Sequence, residues 1–381
     1  MSPQRPIRLF VDAHVFDQEF QGTRTFLREI YLLLSRREDI QLFVAAYHLE
    51  TLKKTFPSRP NVQFLRYKSH SPLIRLSIEI PLLLKKHAID YAHFQYICPL
   101  VKASRYIVTL HDVIFREYPE EFSRGYRMMK KFLFKRSAGM ADVITTVSEY
   151  SKRSIRSFLG VPSTMPIHIV PNGVGEKFFE PYDRQRSKEY LARKYGLEKP
   201  ILYVSRIEPR KNHVSLLQAY LQLELYDRGY HLVLLGSRTI ATPDFDRLLH
   251  ETSPEVRKYI FMDHRVDDDD LIEFYRAAEV MVYPSKAEGF GIPPLEAAAL
   301  RIPVICSNSS AMEQFTFFGD NHIDPSDLPL LTTRLAAVLE NPPLPGQLAA
   351  LSDTVRRSYS WGRAEEIFYR AIVRADGCPT G

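Results

Sequence analysis

The feature that most constrains this chain is an alternation repeated along its length. Short apolar runs of three to five residues are each followed by a stretch whose apolar positions recur at helical spacing. Ile7–Val11, Gln41–Ala45, Val62–Arg66, Tyr91–Phe94, Tyr106–Leu110 and Val143–Val147 read as one strand series, with Thr25–Ser35 as a helix. Ile201–Val204, His231–Leu235, Tyr259–Met262, Val280–Tyr283 and Val304–Cys306 form a second series, interrupted by the helical stretches Val214–Leu225, Leu271–Ala278 and Pro293–Leu300. Strands that are apolar throughout are covered on both faces, and intervening helices are the natural crossovers. The pattern therefore predicts parallel α/β sheets. A charged break at Phe178–Pro200 separates the series, and 381 residues exceed what one core organises. The expected fold is two doubly wound, Rossmann-like domains, 1–177 and 178–360, facing across a cleft. Trp361, Ala364, Ile367, Phe368 and Ile372 then mark a helix within a final segment, 361–381, with Ser360 at its N-cap. That segment is expected to pack back towards the first domain.

Composition narrows the function classes. Cys98, Cys306 and Cys378 are scattered and show no CxxC or Cys/His spacing, which speaks against a disulfide framework or a structural zinc site. Met1–Pro6 has no apolar run, and no stretch of eighteen apolar residues occurs, so neither a signal peptide nor a membrane span is expected. A reducing, cytoplasmic setting follows. The net charge of +6 is unevenly spread: residues 1–177 carry 27 Lys/Arg against 16 Asp/Glu, and residues 178–381 carry 24 against 29. A basic first half suits an anionic partner: nucleic acid, a membrane surface or a phosphorylated acceptor. No helix-turn-helix, zinc or aromatic RNA-binding signature supports nucleic acid.

The densest motif is Glu288-Gly-Phe-Gly-Ile-Pro-Pro-Leu-Glu296. A strand ends near Tyr283, Gly289 and Gly291 allow close approach of the backbone, and prolines open a helix whose N–H groups can receive a phosphate. Glu296, one turn in, can accept bonds from a pair of ribose hydroxyls, and Glu288 can reach a sugar. This segment resembles the E-x7-E signature of glycosyltransferase family 4, retaining enzymes of the GT-B fold. The resemblance extends through Thr146-Val-Ser-Glu149, Pro171-Asn-Gly-Val174, Tyr203-Val-Ser-Arg-Ile-Glu-Pro-Arg-Lys-Asn212, Leu234-Leu-Gly236, Tyr283-Pro-Ser285 and Ser360-Trp361.

The resemblance implies that Arg206 and Lys211 bind the donor diphosphate, which suits two cations at a strand-to-helix turn. It adds Phe290, Ile292 and Leu295 to the donor contacts, and also Val266, although His264-Arg-Val266 departs from the glycine often found in relatives and leaves the base open. His111, just past a strand end, is expected at the transferred sugar. Gly22 and Thr23, in Gln21-Gly-Thr-Arg-Thr-Phe26, are expected near the diphosphate, and Arg24 near an acceptor phosphate. His111, Glu288, Arg206 and Lys211 form the expected catalytic set.

The run Asp267–Asp270 reads as the cap and first turn of a helix, not as a metal site, and no metal or cofactor is expected beyond the nucleotide sugar. Arg124–Arg136 holds six cations among apolar residues. Its apolar stripe is expected in the core, and its basic face is expected to be drawn to an anionic membrane. The implied activity is hexosyl transfer from a nucleoside diphosphate sugar, GDP-mannose before UDP sugars, to a glycan or lipid-linked glycan. An epimerase or phosphorylase of the same fold, and a non-catalytic binding protein for nucleotide sugars or anionic polymers, are the rival readings.

Overall fold

The computed structural model describes residues 5–17, 22–238 and 240–375. Gln21 and Cys378 lie outside the described residues. Both strand series form parallel sheets. The first contains β1 (Ile7–Asp12), β2 (Ile40–Ala46), β3 (Val62–Arg66), β4 (Tyr91–Gln95), β5 (Arg105–Thr109), β6 (Val143–Thr146) and β7 (Ile167–Ile169), in the order 3-2-1-4-5-6-7. The second contains β8 (Pro200–Val204), β9 (His231–Leu235), β10 (Ile260–Asp263), β11 (Val280–Tyr283), β12 (Val304–Ser307) and β13 (His322–Ile323), in the order 10-9-8-11-12-13. β7 and β13 escape sequence reading because three and two residues carry no periodicity.

The chain divides into two compact units. Unit 1 takes the described residues up to Gly173 and those from Trp361 onward, and unit 2 is Val174–Ser360. The closing helix, Trp361–Ala375, buries Trp361, Ala364, Phe368, Ala371 and Ile372 along one stripe. That stripe meets the Gly22–Leu34 helix: Trp361 lies edge-on to Phe26 at 6.3 Å between ring centroids, and Phe368 to Tyr31 at 6.2 Å. Arg37 ties the same two segments together, donating to Glu365 at 2.6 Å and stacking over Tyr369 at 3.7 Å. Beneath them the buried His93 bridges Tyr31 (2.8 Å) and Thr109 (2.7 Å), and Thr109 continues to Thr145 at 2.6 Å. Burial pushes the His93 imidazole down to about 3, so this polar chain across β4, β5 and β6 is uncharged.

The opposite face of the first sheet is covered by the helices Ile80–Lys86, Arg124–Met140 and Glu149–Leu159, which share one core with Phe10, Phe94 and Val108. Here one expectation is overturned. The Arg124–Met140 helix buries Phe134, Ser137 and Ala138, but Met128, Met129 and Phe132 are 74%, 52% and 67% exposed. The helix is apolar on two sides, so spacing alone could not say which stripe the core takes.

In unit 2 the backbone of Gly236, just past β9, lies against the turn that follows β8. Its φ is +151°, and a Cβ there would stand 2.1 Å from the carbonyl oxygen of Ser205. No side chain fits without moving that turn. Gly236→Ala should therefore lower stability by about 3 kcal/mol, read as a reduced urea midpoint, because overpacked sites with no flexible neighbour cannot relax. An unchanged midpoint would refute the close approach.

Candidate functional site

Ligands of open parallel sheets collect outside the carboxyl ends of the strands where strand order reverses. In unit 2 that point lies between β8 and β11, which are hydrogen-bonded neighbours although about 80 residues apart. The loops leaving them carry Arg206 to Lys211 and Ser285 to Gly291, and adjacency zips them together. The Lys286 amide donates to the Arg210 carbonyl at 2.8 Å, and the Arg210 guanidinium donates to the Ala287 carbonyl at 3.2 Å.

At the centre is a buried ion pair between Lys211 and Glu288. Tyr283 donates to the same carboxylate oxygen at 2.8 Å, and the Glu288 amide donates to the Ser310 hydroxyl at 2.8 Å. The Lys211 carbonyl accepts from Tyr203 at 2.6 Å, which fixes the turn before the His213–Gln222 helix. Burial alone would raise the Glu288 carboxyl, but Lys211 and Arg210 outweigh it and hold the group below the usual carboxylate range. Burial depresses Lys211, with repulsion from Arg210 opposing the attraction of Glu288.

Arg210 is likewise buried and paired with Glu208. Arg206 is different: its side chain is 54% exposed and reaches Glu208 only at 3.5 Å. Three cations and two carboxylates thus share one strand-end cluster, with an excess of one positive charge and with Arg206 on its exposed side. Sequence reading assigned Arg206, Lys211 and Glu288 but left Glu208 and Arg210 unused, although both stood inside the quoted motif.

Gly291 begins the Ile292–Ala299 helix at φ +94°, and a Cβ there would meet Met312 Cγ at 2.9 Å. Packing against Met312 therefore requires this glycine. Phe290 and Leu295 are buried, Phe290 against Phe315 and Tyr359, so their side chains serve the core. Ile292 is half-buried on the first turn, and Val266 is half-buried past β10. Glu296 accepts from Tyr275 at 2.7 Å, and burial pushes its carboxyl up to about 7. Asp267 caps its helix by accepting from the Asp270 amide at 2.7 Å, while Asp270 is taken up by Tyr190, Lys194 and Tyr195.

The switch point of unit 1 lies between β1 and β4, with β5 beside β4. The loops from these strands bring together Thr23, Gln95 and His111. Gln95 donates to the Thr23 carbonyl at 3.1 Å, and the His111 ring stands edge-on to Phe26 at 5.1 Å. Thr23 Oγ1, Gln95 Oε1 and His111 Nε2 are all buried and without hydrogen-bond partners. Buried polar atoms are nearly always paired, so three orphans at one strand end mark a place built for a ligand. Burial pushes His111 down to about 4, leaving it neutral. Gln95 was missed from sequence, since a glutamine ending a buried strand has no local signature. Gly22 opens the helix, and Arg24 stacks over Phe16 at 5.1 Å.

Comparison with known proteins places these features in a group. The family described as Glycosyltransferase Family 4 matches residues 20–177, and that described as Glycosyl transferases group 1 matches residues 187–351. The O-antigen chain mannosyltransferase B of Escherichia coli is 28% identical over 80% of this chain and 82% of its own length. The serotype-specific mannosyltransferase WbdA of Escherichia coli is 28% identical over 72% of this chain, which spans 32% of that longer protein. Among solved structures, the sucrose-phosphate synthase of Thermosynechococcus elongatus superposes with a TM-score of 0.73 at 18% identity, covering 98% of this chain and all of that one.

Breaking a buried pair strands a charge, whereas replacing both partners by apolar groups does not. Lys211→Met should accordingly cost about 3–5 kcal/mol in urea unfolding, and Lys211→Met combined with Glu288→Leu should recover most of it. Additive losses in the double variant would show that the two side chains do not depend on one another.

Proposed function

The chain belongs to the glycosyltransferases whose halves are described as family 4 and group 1, and from that premise we propose that it transfers mannose from GDP-mannose, with retention of configuration, to a hydroxyl of a growing glycan or its lipid-linked precursor. The broader statement needs no proposal: it is a hexosyltransferase of polysaccharide biosynthesis, using a nucleotide-sugar donor and a glycan acceptor. The observation that carries the reading is the strand-end cluster of Arg206, Lys211 and Glu288, a positively biased site where a departing diphosphate would find charge already in place. One Lys211 proton is held by Glu288, and the others are left for a ligand oxygen. Glu296 would take the ribose hydroxyls. His111, with an orphaned ring nitrogen, would hydrogen-bond a hydroxyl of the sugar in transit.

In this mechanism the bond from the anomeric carbon to the diphosphate oxygen breaks as the acceptor hydroxyl adds on the same face. The acceptor proton passes to the departing phosphate oxygen, whose growing charge Arg206 and Lys211 stabilise. No metal or further cofactor is called for. The basic face of unit 1 supports work at the inner face of a membrane. Among the described residues no helix is long and apolar enough to cross one.

A donor screen with GDP-mannose and UDP sugars, in excess EDTA, tests the reading. Expected are a mannosylated product with the donor's α configuration by NMR and at least a tenfold loss of kcat in Arg206→Ala, with nucleoside diphosphate affinity changed less. An inverted product, or activity that only manganese restores, would overturn it.

Ribose binding requires Glu296 ionised, and its carboxyl titrates at about 7 under the dominant influence of burial, with Tyr275 and Lys177 opposing and Asp268 reinforcing the rise. Only the ionised fraction is competent. Nucleoside diphosphate affinity should therefore weaken about tenfold between pH 8 and pH 6. Glu296→Gln should bind weakly at both pH values, leaving only the slope due to the diphosphate itself. Calorimetry giving the same slope for wild type and variant would remove Glu296 from that role.

A further inference from the structure

Twelve large hydrophobic side chains are exposed among the described residues, and ten of them fall between Leu73 and Phe132. They lie on the segments after β3, β4 and β5, whose helices share the core on one face of the first sheet. Exposed apolar area gathered on one layer is a mark of an interaction surface. Along the Arg124–Met140 helix the exposed Met128, Met129 and Phe132 alternate with Arg124, Arg127, Lys131 and Lys135, and the helix contains no acidic residue.

Between this helix and the Glu149–Leu159 helix opens a pocket of about 320 Å³. The buried Phe115 and the Phe158 ring form its apolar floor, the exposed Met128 stands at its rim, and Arg116, Arg124, Arg127 and Lys131 complete the lining. Arg116 and Lys131 stack over the Phe158 ring at 5.3 and 5.1 Å. No ion pair engages any of these four cations among the described residues. Glu117, adjacent to Arg116 in the chain, is occupied by Tyr150 and by Ser154 at 3.0 Å. Arg127 Nε is buried without an acceptor, a donor withdrawn from water with nothing to receive it.

We propose that this pocket takes the phosphate of an anionic bilayer lipid, while Met128, Met129 and Phe132 enter the acyl layer beside it. The four cations supply the charge complement and Arg127 the unfilled hydrogen bond. The aromatic floor and thioether rim suit the carbons next to a headgroup phosphate and offer no acceptor for the hydroxyls of a soluble sugar phosphate. A nucleic acid would call for cations along a polar track, whereas here Met128, Met129 and Phe132 stand exposed among them. The inference rests on the membrane-face part of the proposed function and gives it a defined lipid site.

The test is cosedimentation of the full chain with phosphatidylcholine vesicles, with or without phosphatidylglycerol, at low and high salt. Wild type should bind only the anionic vesicles and keep part of that binding at high salt. Arg116→Gln with Arg127→Gln should weaken binding about tenfold more than the charge-matched Lys85→Gln with Lys86→Gln. Circular dichroism and thermal melting establish that each variant is folded; if Arg127→Gln is not, Arg116→Gln with Lys131→Gln takes its place. Equal weakening in both pairs would overturn the pocket in favour of diffuse charge. Displacement by soluble glycerol phosphate, or preference for RNA over vesicles, would overturn the lipid. Failure of wild type to bind any vesicle would overturn this inference and the membrane location together, leaving the donor assay to judge the transferase reading separately.

Discussion

In both sheets the strand order reverses beside the first strand, and that reversal decides where chemistry can collect. Two neighbouring loops leave a parallel sheet in opposite lateral directions there, so the ends of their strands stay uncovered by a crossover helix. In unit 2 the neighbours are β8 and β11, and the consequence is a meeting between Lys211 and Glu288 across 77 positions of sequence. In unit 1 the same construction gathers Thr23, Gln95 and His111. The two sites differ in electrostatic style. That of unit 2 is built from ionised pairs whose charges are mutually compensated, and that of unit 1 from neutral groups with open hydrogen-bonding positions.

Compensation is what makes the unit 2 cluster tolerable. An isolated lysine taken out of water would lose its proton before it could serve a phosphate. Glu288 favours the charged form of Lys211 against the effect of burial, and Tyr283 and Ser310 hold the loop that presents Glu288. Glu208 does the same for Arg210, which in turn stitches the two loops through the Ala287 carbonyl. Arg206 is the exposed member, meeting Glu208 only at 3.5 Å. The arrangement separates buried charge from exposed charge within a few residues of one turn.

Much of this was legible in the sequence, for identifiable reasons. Parallel sheets announce themselves because strands buried on both faces cannot alternate, and the E-x7-E segment combines glycines, prolines and acids at spacings that few other structures need. The partners of those acids were not legible. Nothing in the sequence marks the hydroxyls of Tyr283 and Tyr275, which acquire meaning only when strand and helix neighbours are known. Gly291 reads from sequence as an opening for a ligand, and its fit against Met312 became visible only in the fold. Arg124–Met140 misled in the other direction: a helix apolar on two sides has no single stripe, and only Phe134 and Ala138 found the core.

The chain enters unit 2 at Val174, leaves it at Ser360, and those two residues form a parallel bridge. Unit 2 is thus an insertion within unit 1, and the helix that seals Phe26, Tyr31 and His93 is written some 190 residues after the rest of that core. During vectorial synthesis the ribosome releases the whole of unit 2 before unit 1 can close. The second sheet can therefore mature on its own schedule, while the first waits as an unsealed intermediate with an aromatic groove exposed.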